Sequence, residues 1–520
     1  MEILFIAIVS LCMAALLNAL FNLSSSTSRK KLPPGPVNFP FLGNIFWMRH
    51  IGREDYLRKL LSKYGPIFSI KVGPKLAIFI SNHTLAYETL IKNGLAVSDR
   101  PGGVILSPIF GSQSLSTISS SSYGPNWKIL RKNLLSEIMH PVRIKSYTRT
   151  RQWVLENLLE NLKRQSVDGC AVTVMKDFRF AMFSLLVFMC FGEKLGENEV
   201  KDIERVSHDM LSRYGDFDVL NYWPRLGQFI FFHKWVQLIR LRKNQDNVIR
   251  PLIQARRNFL EEEKLNSGGE KDDSPIVAYI DTLFDLELPE KKRKANEFEL
   301  VSLCNEFIDG GTDTTTTVLE WIMANLVKYP EIQAKVYDEL SRFVGDGSGH
   351  VGEIIKEEDL PKLVYLKAVI LEGLRRHPPG HFIVPHRLTD EVEINGYVLP
   401  KDASLNVLVM EVNKDPTVWE DPMEFRPERF LSEGGGVVDF DLKGSRGVKM
   451  MSFGVGRRIC PGMNLAMVHL GYFIANLVWN FEWVATEEGV DFSENHAFTV
   501  VMKNHLKVRL IPRGSVMGSS

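Results

Sequence analysis

The sequence predicts a mainly α-helical protein with small β-sheets. Residues 145–343 read as helices over most of their length, and a further helical run starts at Met463. Strand patterns are short by comparison: residues 67–80 read as a hairpin around a Gly-Pro turn, and residues 393–398 carry an Asn-Gly turn. Residues 404–409 are expected to complete a small sheet with this second hairpin.

Composition excludes several classes of protein. The 520 residues are 45% hydrophobic and 24% charged, which provides for a large core and argues against intrinsic disorder. The formal net charge is +1, so the total charge implies no nucleic acid or other polyanion as partner. No linker divides the chain after residue 40, and residues 41–520 are expected to form one domain.

The cysteines indicate the redox compartment. They are odd in number, widely scattered and without close spacing: Cys12, Cys170, Cys190, Cys304 and Cys460. This pattern argues against a disulfide framework or a zinc site, and it favours a reducing compartment.

The amino terminus has the pattern of a membrane anchor. Residues 3–23 are almost uninterrupted apolar sequence, and about 20 helical residues span a hydrocarbon core of ~30 Å. The alternatives are a cleaved secretory signal and a buried helix. A signal has a basic start and a shorter apolar run, whereas Glu2 is the only charge before this run. Residues 1–23 are therefore expected to form a single uncleaved transmembrane anchor.

A hinge is expected between the anchor and the domain. Residues 24–40 begin with a Ser/Thr run and continue as a Pro-rich stretch, which should hold the domain at a set orientation to the membrane. Within this segment, Arg29, Lys30 and Lys31 favour the cytoplasmic side of the membrane. The large domain is therefore expected on the cytoplasmic face, in agreement with the unpaired cysteines.

One loop carries the strongest chemical signal. Between Phe453 and Gly462, glycines permit tight turns that a Cβ would obstruct, so the chain can bring Cys460 close to a flat ligand. Because a helix is expected from Met463, its positive end favours a thiolate at Cys460. A lone cysteine, however, is more often a small buried hydrophobe. The neighbouring residues decide between these two interpretations.

The loop resembles the haem-binding loop of the cytochrome P-450 monooxygenases at six positions: Phe453, Gly454, Gly456, Arg458, Cys460 and Gly462. The resemblance implies the cytochrome P-450 fold, in which haem b lies between a long oxygen-side helix and the helix of the cysteine loop. It also implies that Cys460 is the thiolate ligand of the haem iron. Phe453 would then pack beside the sulfur, and Arg458 would pair with a haem propionate.

Further propionate partners follow from the same resemblance. Trp127 and Arg131 are four residues apart on one face of a predicted helix. Such a pair by itself is most often packing plus a solvated charge, but in the resembled family both side chains reach a propionate. His386 falls where the family places another propionate partner, although a lone histidine is usually a surface or core residue.

Residues 306–317 predict a weak spot in a long helix. Gly costs about 1 kcal/mol relative to Ala within a helix and threonine runs form helices poorly, yet both flanks are helical. Gly311 would permit the close approach of a ligand, and a hydroxyl can bond to a backbone carbonyl. The resemblance implies that Thr314 hydrogen-bonds dioxygen and that Asp313 assists proton delivery. Whether Asp309 faces the pocket or a salt bridge is left open.

A buried ion network is expected on the haem side. Glu372 and Arg375 are three residues apart on a predicted helix, and such a pair at a surface is worth only ~0.2–0.5 kcal/mol. Together with Arg429, however, they resemble the family's buried Glu-Arg-Arg network. The three residues are therefore interpreted as structural, and removal of one partner should leave an uncompensated buried charge.

Several segments are expected around a pocket. Residues 380–384 should line it, and residues 498–501 should point back into it. Aromatic residues concentrate in residues 211–248, where they form core, roof a lipophilic pocket or dip into the membrane surface. The substrate itself depends on side chains from several separated segments.

The resemblance implies a plant microsomal haem-thiolate monooxygenase, and phrases such as residues 321–330 resemble the eighty-nine-A branch. One oxygen atom would enter a lipophilic small molecule. The resemblance also implies that electrons come from an NADPH-cytochrome reductase in the endoplasmic reticulum membrane, and no nucleotide-binding fingerprint in the sequence indicates a fused reductase. Its docking surface is expected among basic residues on the sulfur side: Lys128, Lys132, Lys443, Arg446, Lys449 and Arg457.

Two alternatives to this function are kept. A haem-thiolate enzyme that rearranges peroxides needs no reductase, but Thr314 and the uninterrupted cysteine loop argue against it. A haem-binding membrane partner without catalysis would not need the Asp313-Thr314 pair. Consumption of NADPH coupled to product would exclude the second alternative.

Overall fold

The structure is a computed structural model that describes residues 10, 13, 31–38, 43–45, 48, 52–102, 117–222, 226–266, 276–290, 292–345, 354–434 and 436–513. The predicted anchor, residues 1–23, lies outside the described residues apart from Ser10 and Met13, and so does the hinge before residue 31. Among the helices of the described ranges, none combines the length and the apolar character needed to cross a bilayer.

Helices form the body of the protein, as the sequence predicts. In chain order they are α1 (Arg53–Tyr64), α2 (His83–Tyr87), α3 (Pro125–Glu137), α4 (Pro141–Ser146), α5 (Thr148–Gln165), α6 (Met175–Phe191), α7 (Glu197–Leu211), α8 (Asp218–Tyr222), α9 (Gly227–Ile230), α10 (Phe232–Asn266), α11 (Asp281–Phe284), α12 (Glu297–Lys328), α13 (Pro330–Gly345), α14 (Val364–Arg376), α15 (Val409–Asn413) and α16 (Met463–Asn480).

The strands are short. They are β1 (Ile67–Val72), β2 (Lys75–Ile80), β3 (Ala171–Thr173), β4 (Glu287–Leu288), β5 (Arg293–Lys294), β6 (His386–Arg387), β7 (Val392–Ile394), β8 (Tyr397–Leu399), β9 (Ser404–Val407), β10 (Phe481–Ala485), β11 (Glu494–His496), β12 (Val500–Met502) and β13 (Lys507–Pro512). The largest sheet has the order β1-β2-β9-β6, and a second has the order β10-β13-β3. The predicted hairpin of residues 67–80 is confirmed, with Ile67 opposite Ile80.

Strand β9 does not join the β7–β8 hairpin, so this expectation from the sequence is wrong. The hairpin closes on itself through Asn395 and Gly396, whose φ angles of 51° and 73° suit a two-residue turn. Strand β9 instead pairs in parallel with β2, where Leu405 lies opposite Ile78 and both are fully buried. Parallel partners lie far apart in the sequence, so an alternating pattern alone does not identify them.

Helix α12 is the long central helix that positions the site. Its start is fixed by a capping box, since the Asn296 side chain accepts the Glu299 N–H at 2.9 Å and the Glu299 carboxylate accepts the Asn296 N–H at 2.9 Å. It remains helical through the Gly-Gly-Thr segment that the sequence marks as weak. At Gly311, an added Cβ would lie 2.7 Å from Leu186 Cδ1, so the missing side chain lets α6 approach.

The aromatic residues of 211–248 divide between core and surface. Phe217 is buried against Leu220, Leu238 and their neighbours in a small separate cluster. By contrast, Phe229 and Phe232 expose 72% and 63% of their surface. The core interpretation is therefore confirmed for Phe217, whereas the exposed aromatic residues lie outside the core and their contact with a pocket or a membrane stays a prediction.

Candidate active site

The cysteine loop is held by backbone hydrogen bonds and by two left-handed glycines. The Cys460 N–H donates to the Phe453 carbonyl at 2.9 Å, which closes the loop. Gly454 and Gly456 have φ angles of 68° and 77°, and a Cβ on Gly456 would lie 2.3 Å from the Leu90 carbonyl oxygen. The loop thus needs glycine at both positions, and Cys460 lies three residues before the start of α16.

The Cys460 sulfur is accessible yet recessed. Its side chain is exposed, while the protein around it raises the pKa of the thiol by burial. The Gly462 N–H and Arg131 act in the opposite direction, as the sequence predicts for a helix start, but burial outweighs them. Burial therefore favours the protonated thiol in the free side chain, and a metal ion bound to the sulfur would favour the thiolate.

Helix α3 lies beside this loop. Its Arg131 donates to the Ile459 carbonyl at 2.5 Å, one residue before the cysteine. Trp127 is buried and donates through Nε1 to the Ile118 carbonyl at 3.1 Å. The guanidinium groups of Arg458 and Arg131 lie 4.4 and 5.4 Å from the centre of its ring. The Trp127 indole thus holds both guanidinium groups beside the cysteine loop through cation–π contacts.

Arg100 joins this cluster, and sequence reasoning missed it. Its guanidinium donates to the carbonyls of Ser119, Val384 and Pro385 at 2.7–2.8 Å. Burial and the nearby Arg458 lower its pKa to about 9. The one signal in the sequence is its place at the start of an uncharged stretch that runs to Lys128, which is too weak to assign a role.

His386 faces the same cations. It is buried, and its Nδ1 lies 2.7 Å from the Val97 carbonyl oxygen. Burial, Arg100 and Arg458 lower its pKa to about 3, so the imidazole is neutral at physiological pH. All the positions predicted to contact propionates, Trp127, Arg131, Arg458 and His386, therefore come together in space.

These cations fit the two propionates of haem. Arg458, like Arg100, donates to backbone carbonyls, those of Ser98, Ile118 and Ser121. In the part of the chain that the structure describes, no carboxylate forms an ion pair with Arg100, Arg131 or Arg458. Asp99 and Glu306 offset part of this positive charge from a distance, and a bound anionic group beside the cysteine loop would offset the rest.

Glu306 fixes the loop that completes this cradle, and it too was missed. Its carboxylate accepts the N–H groups of Ile118 and Ser119, each at 2.7 Å. This loop supplies the carbonyls that hold Arg100 and Arg458. Glu306 therefore connects helix α12 to the cationic cluster.

The oxygen-side segment of α12 has an open position next to a threonine. The Thr314 hydroxyl donates to the Gly310 carbonyl at 2.8 Å, as expected for a hydroxyl in this segment. A Cβ on Gly310 would meet nothing within 4 Å, whereas Gly311 faces Leu186. The open side of the helix is thus at Gly310, and the ligand-approach role predicted for Gly311 stays a prediction.

Two carboxylates lie one turn apart on α12. Asp313 is buried, 3.7 Å from Arg179 Nε, and burial raises its pKa although Arg179 and His208 lower it. Burial also raises the pKa of Asp309 to about 7, with a smaller opposite effect of Ser207. A carboxyl group with this pKa can exchange a proton near neutral pH.

The three residues of the predicted ion network meet in the core. Arg375 donates to both carboxylate oxygens of Glu372 at 2.7 and 2.8 Å, and both side chains are fully buried. Arg429 Nε lies 3.4 Å from the Glu372 carboxylate, which also accepts the Arg426 N–H at 2.8 Å. The network joins α14 to the segment that precedes the cysteine loop.

The protein combines a mainly helical fold with an accessible cysteine sulfur and a cluster of arginines beside it. Together with the Gly310–Thr314 segment of α12, these features define a haem-thiolate protein. The chain matches the family described as Cytochrome P450 over residues 33–510, and it belongs to that family. It is accordingly a haem-thiolate monooxygenase whose cofactor is haem b, with electrons supplied by a reductase.

Its relatives are plant proteins. Cytochrome P450 89A9 of Arabidopsis thaliana is 44% identical over 98% of this chain and 99% of its own length. Ferruginol synthase of Isodon rubescens is 30% identical over 96% and 99%, and isoflavone 2'-hydroxylase of Medicago truncatula is 29% identical over 93% of each chain. The resemblance to the family and to its eighty-nine-A branch is confirmed.

Proposed function

We propose that the protein is an NADPH- and O2-dependent hydroxylase that inserts one oxygen atom into a lipophilic plant small molecule. The observation that carries this proposal is the segment of α12 in which Thr314 stands beside the open position at Gly310 and next to the buried Asp313. A hydroxyl and a carboxylate in adjacent positions can deliver protons to a reduced oxygen species.

The site residues form two groups: one would hold the cofactor, and the other would deliver protons. When bound through Cys460, the haem supplies reductive cleavage of the O–O bond, which thiolate ligation favours. The propionates would be held by three cations, Arg100, Arg131 and Arg458, together with the neutral side chains of Trp127 and His386. Thr314 would present a proton at its hydroxyl. Asp313 would replace that proton, since burial raises the pKa of its carboxyl toward the working pH.

Electrons would enter on the surface behind the cysteine loop. All six basic candidates from the sequence are exposed. Lys128 and Lys132 line one recess together with the partly exposed Leu135. Arg446, in contrast, is paired with Asp439 at 2.8 Å, so its charge is compensated. An apolar contact flanked by cations that form no ion pair with any residue the structure describes suits an acidic reductase surface.

The endoplasmic reticulum membrane is the proposed location, with the domain on its cytoplasmic face. The apolar run of residues 3–23 and the basic residues after it support a single-pass anchor. The exposed apolar side chains around α9 support a second contact with the bilayer: Leu226, Phe229, Ile230 and Phe232.

The test uses purified haem-loaded protein, a plant NADPH-cytochrome reductase and a panel of lipophilic plant metabolites under ¹⁸O2. The expected result is NADPH-dependent product that carries one ¹⁸O atom. Thr314→Ala should lower product formation at least about tenfold while NADPH oxidation continues, because proton delivery contributes about 10²–10⁴-fold in rate. Thr316→Ala is the matched control, since its hydroxyl makes the same i–4 bond on the buried side of α12.

Other outcomes would contradict the proposal. Product that forms from a hydroperoxide without NADPH or reductase would favour the peroxide-rearranging alternative. Haem binding without turnover of any metabolite would favour the non-catalytic one. Equal effects of Thr314→Ala and Thr316→Ala would remove the role given to Thr314.

A further inference from the structure

A cluster of metal-binding side chains lies outside the haem site. It consists of His381, Glu494 and His496, whose donor atoms all lie within 4.8 Å of one another. His381 Nε2 is 2.5 Å from His496 Nδ1 and 3.8 Å from a carboxylate oxygen of Glu494. Two imidazole nitrogens in contact cannot both carry a proton on the facing side, so at least one lone pair points into the gap.

The backbone holds this cluster from both sides. Glu494 and His496 are two residues apart on β11, so their side chains lie on the same face. Strand β12 pairs with β11, and its Val500 N–H donates to the Pro379 carbonyl at 2.9 Å. On the other side, the His381 carbonyl accepts the Val409 N–H at 2.8 Å. The three donors are therefore brought together by the fold and not by chance side-chain rotation.

Two histidines and a glutamate are a ligand set that zinc uses in proteins, with a fourth position left to water. Tetrahedral ligands at about 2.0–2.1 Å from zinc lie about 3.3 Å apart, between the two separations seen here. His496 is exposed, so a small rotation of its side chain opens the gap to this spacing. The Glu494 carboxylate also supplies negative charge near Lys414, which together with Arg58 is a cation that acts on His381.

We propose that His381, Glu494 and His496 form a Zn²⁺ site that ties the β11–β12 hairpin to residues 379–382. The scattered cysteines argued against a zinc site, but this ligand set contains no cysteine and its members come from distant parts of the chain. The turn of the same hairpin contacts α12, since Thr499 Oγ1 lies 3.0 Å from Thr317 Oγ1. A bound ion would therefore restrain a hairpin that packs against the oxygen-side helix.

The test measures zinc binding to the haem-loaded full chain. Equilibrium dialysis against Zn²⁺ alone, followed by metal analysis relative to haem iron, should give one zinc per haem. A Cys170→Ser background removes the exposed thiol as a competing ligand. In that background, Glu494→Gln and His496→Asn should each raise the Kd at least about tenfold, since even outer-shell changes cost about 10–100-fold. X-ray absorption at the zinc edge should show only nitrogen and oxygen ligands.

The matched control is His505→Asn. His505 also lies beside a carboxylate, with Nδ1 3.1 Å from Glu320, but among the residues that the structure describes it is not grouped with a second histidine. It should leave zinc binding unchanged, and all variants should keep their haem. The proposal is overturned if the wild-type ligand set binds no zinc, or if Glu494→Gln and His496→Asn bind it as tightly as the parent protein.

Discussion

The Glu-Arg-Arg network gives the sharpest prediction on stability. Glu372→Gln keeps the shape of the side chain but removes its charge and one of its two strong acceptors. In the structure, the carboxylate accepts two hydrogen bonds from Arg375, one from the Arg426 N–H and a longer one from Arg429. After the change, the NH2 group of the new glutamine side chain must face an N–H donor of Arg375, so one hydrogen bond is lost.

The magnitude follows from the burial of the partner. Arg375 is fully buried, and removal of one member of a buried pair costs about 3–5 kcal/mol because the other charge is left uncompensated. Arg375 keeps three hydrogen bonds to carbonyls, those of Asn413, Pro422 and Glu424 at 2.9–3.2 Å. These partners place the expected loss of unfolding free energy near the lower limit, about 3 kcal/mol.

The assay is urea unfolding of the haem-loaded protein, followed by far-ultraviolet circular dichroism and by haem absorption at equal haem content. Glu197→Gln is the control, since Glu197 pairs with Lys201 on an exposed helix face and should change nothing measurable. A loss below about 1 kcal/mol for Glu372→Gln, with an unchanged dependence on urea, would refute the reasoning.

Three further predictions concern the site. Asp309→Asn should raise the free energy of unfolding at pH 8 by at most about 4 kcal/mol and leave it unchanged near pH 4. The reason is that the folded protein holds the pKa of Asp309 near 7, above the ordinary 3.8, so the wild type loses stability as pH rises between these values. Arg100→Leu should speed the transfer of haem to apomyoglobin, because it removes a cation from the propionate cradle. Lys128→Glu should slow reduction by the reductase, most strongly at low salt.

Each of these predictions has its own control. For Asp309→Asn, the free energy of unfolding is measured at several pH values beside the wild type. A stability difference that does not change with pH would contradict the raised pKa of Asp309. Arg426→Leu, which changes a partly exposed side chain paired with surface carboxylates, should not change haem transfer, and equal rates for both arginine variants would remove Arg100 from the cradle. Arg446→Glu should have a smaller effect on reduction than Lys128→Glu, since Asp439 already offsets the charge of Arg446.

The sequence by itself determined the features that depend on neighbouring residues. The cysteine loop requires glycines within a few positions of Cys460, and the Glu372–Arg375 pair follows from helical spacing. The helices and hairpins were likewise predictable, since periodicity and turn residues are local signals. The family itself was identified from such short motifs.

Only the tertiary structure decided which distant residues meet. Arg100 joins Arg458 across hundreds of residues, and strand β9 takes β2 as its partner. His381 and His496 are 115 residues apart and touch. Burial, which outweighs the helix start at Cys460, is also a property of the packed chain. The physical reason is the same throughout: local spacing fixes what one element presents, whereas packing fixes its neighbours and their dielectric surroundings.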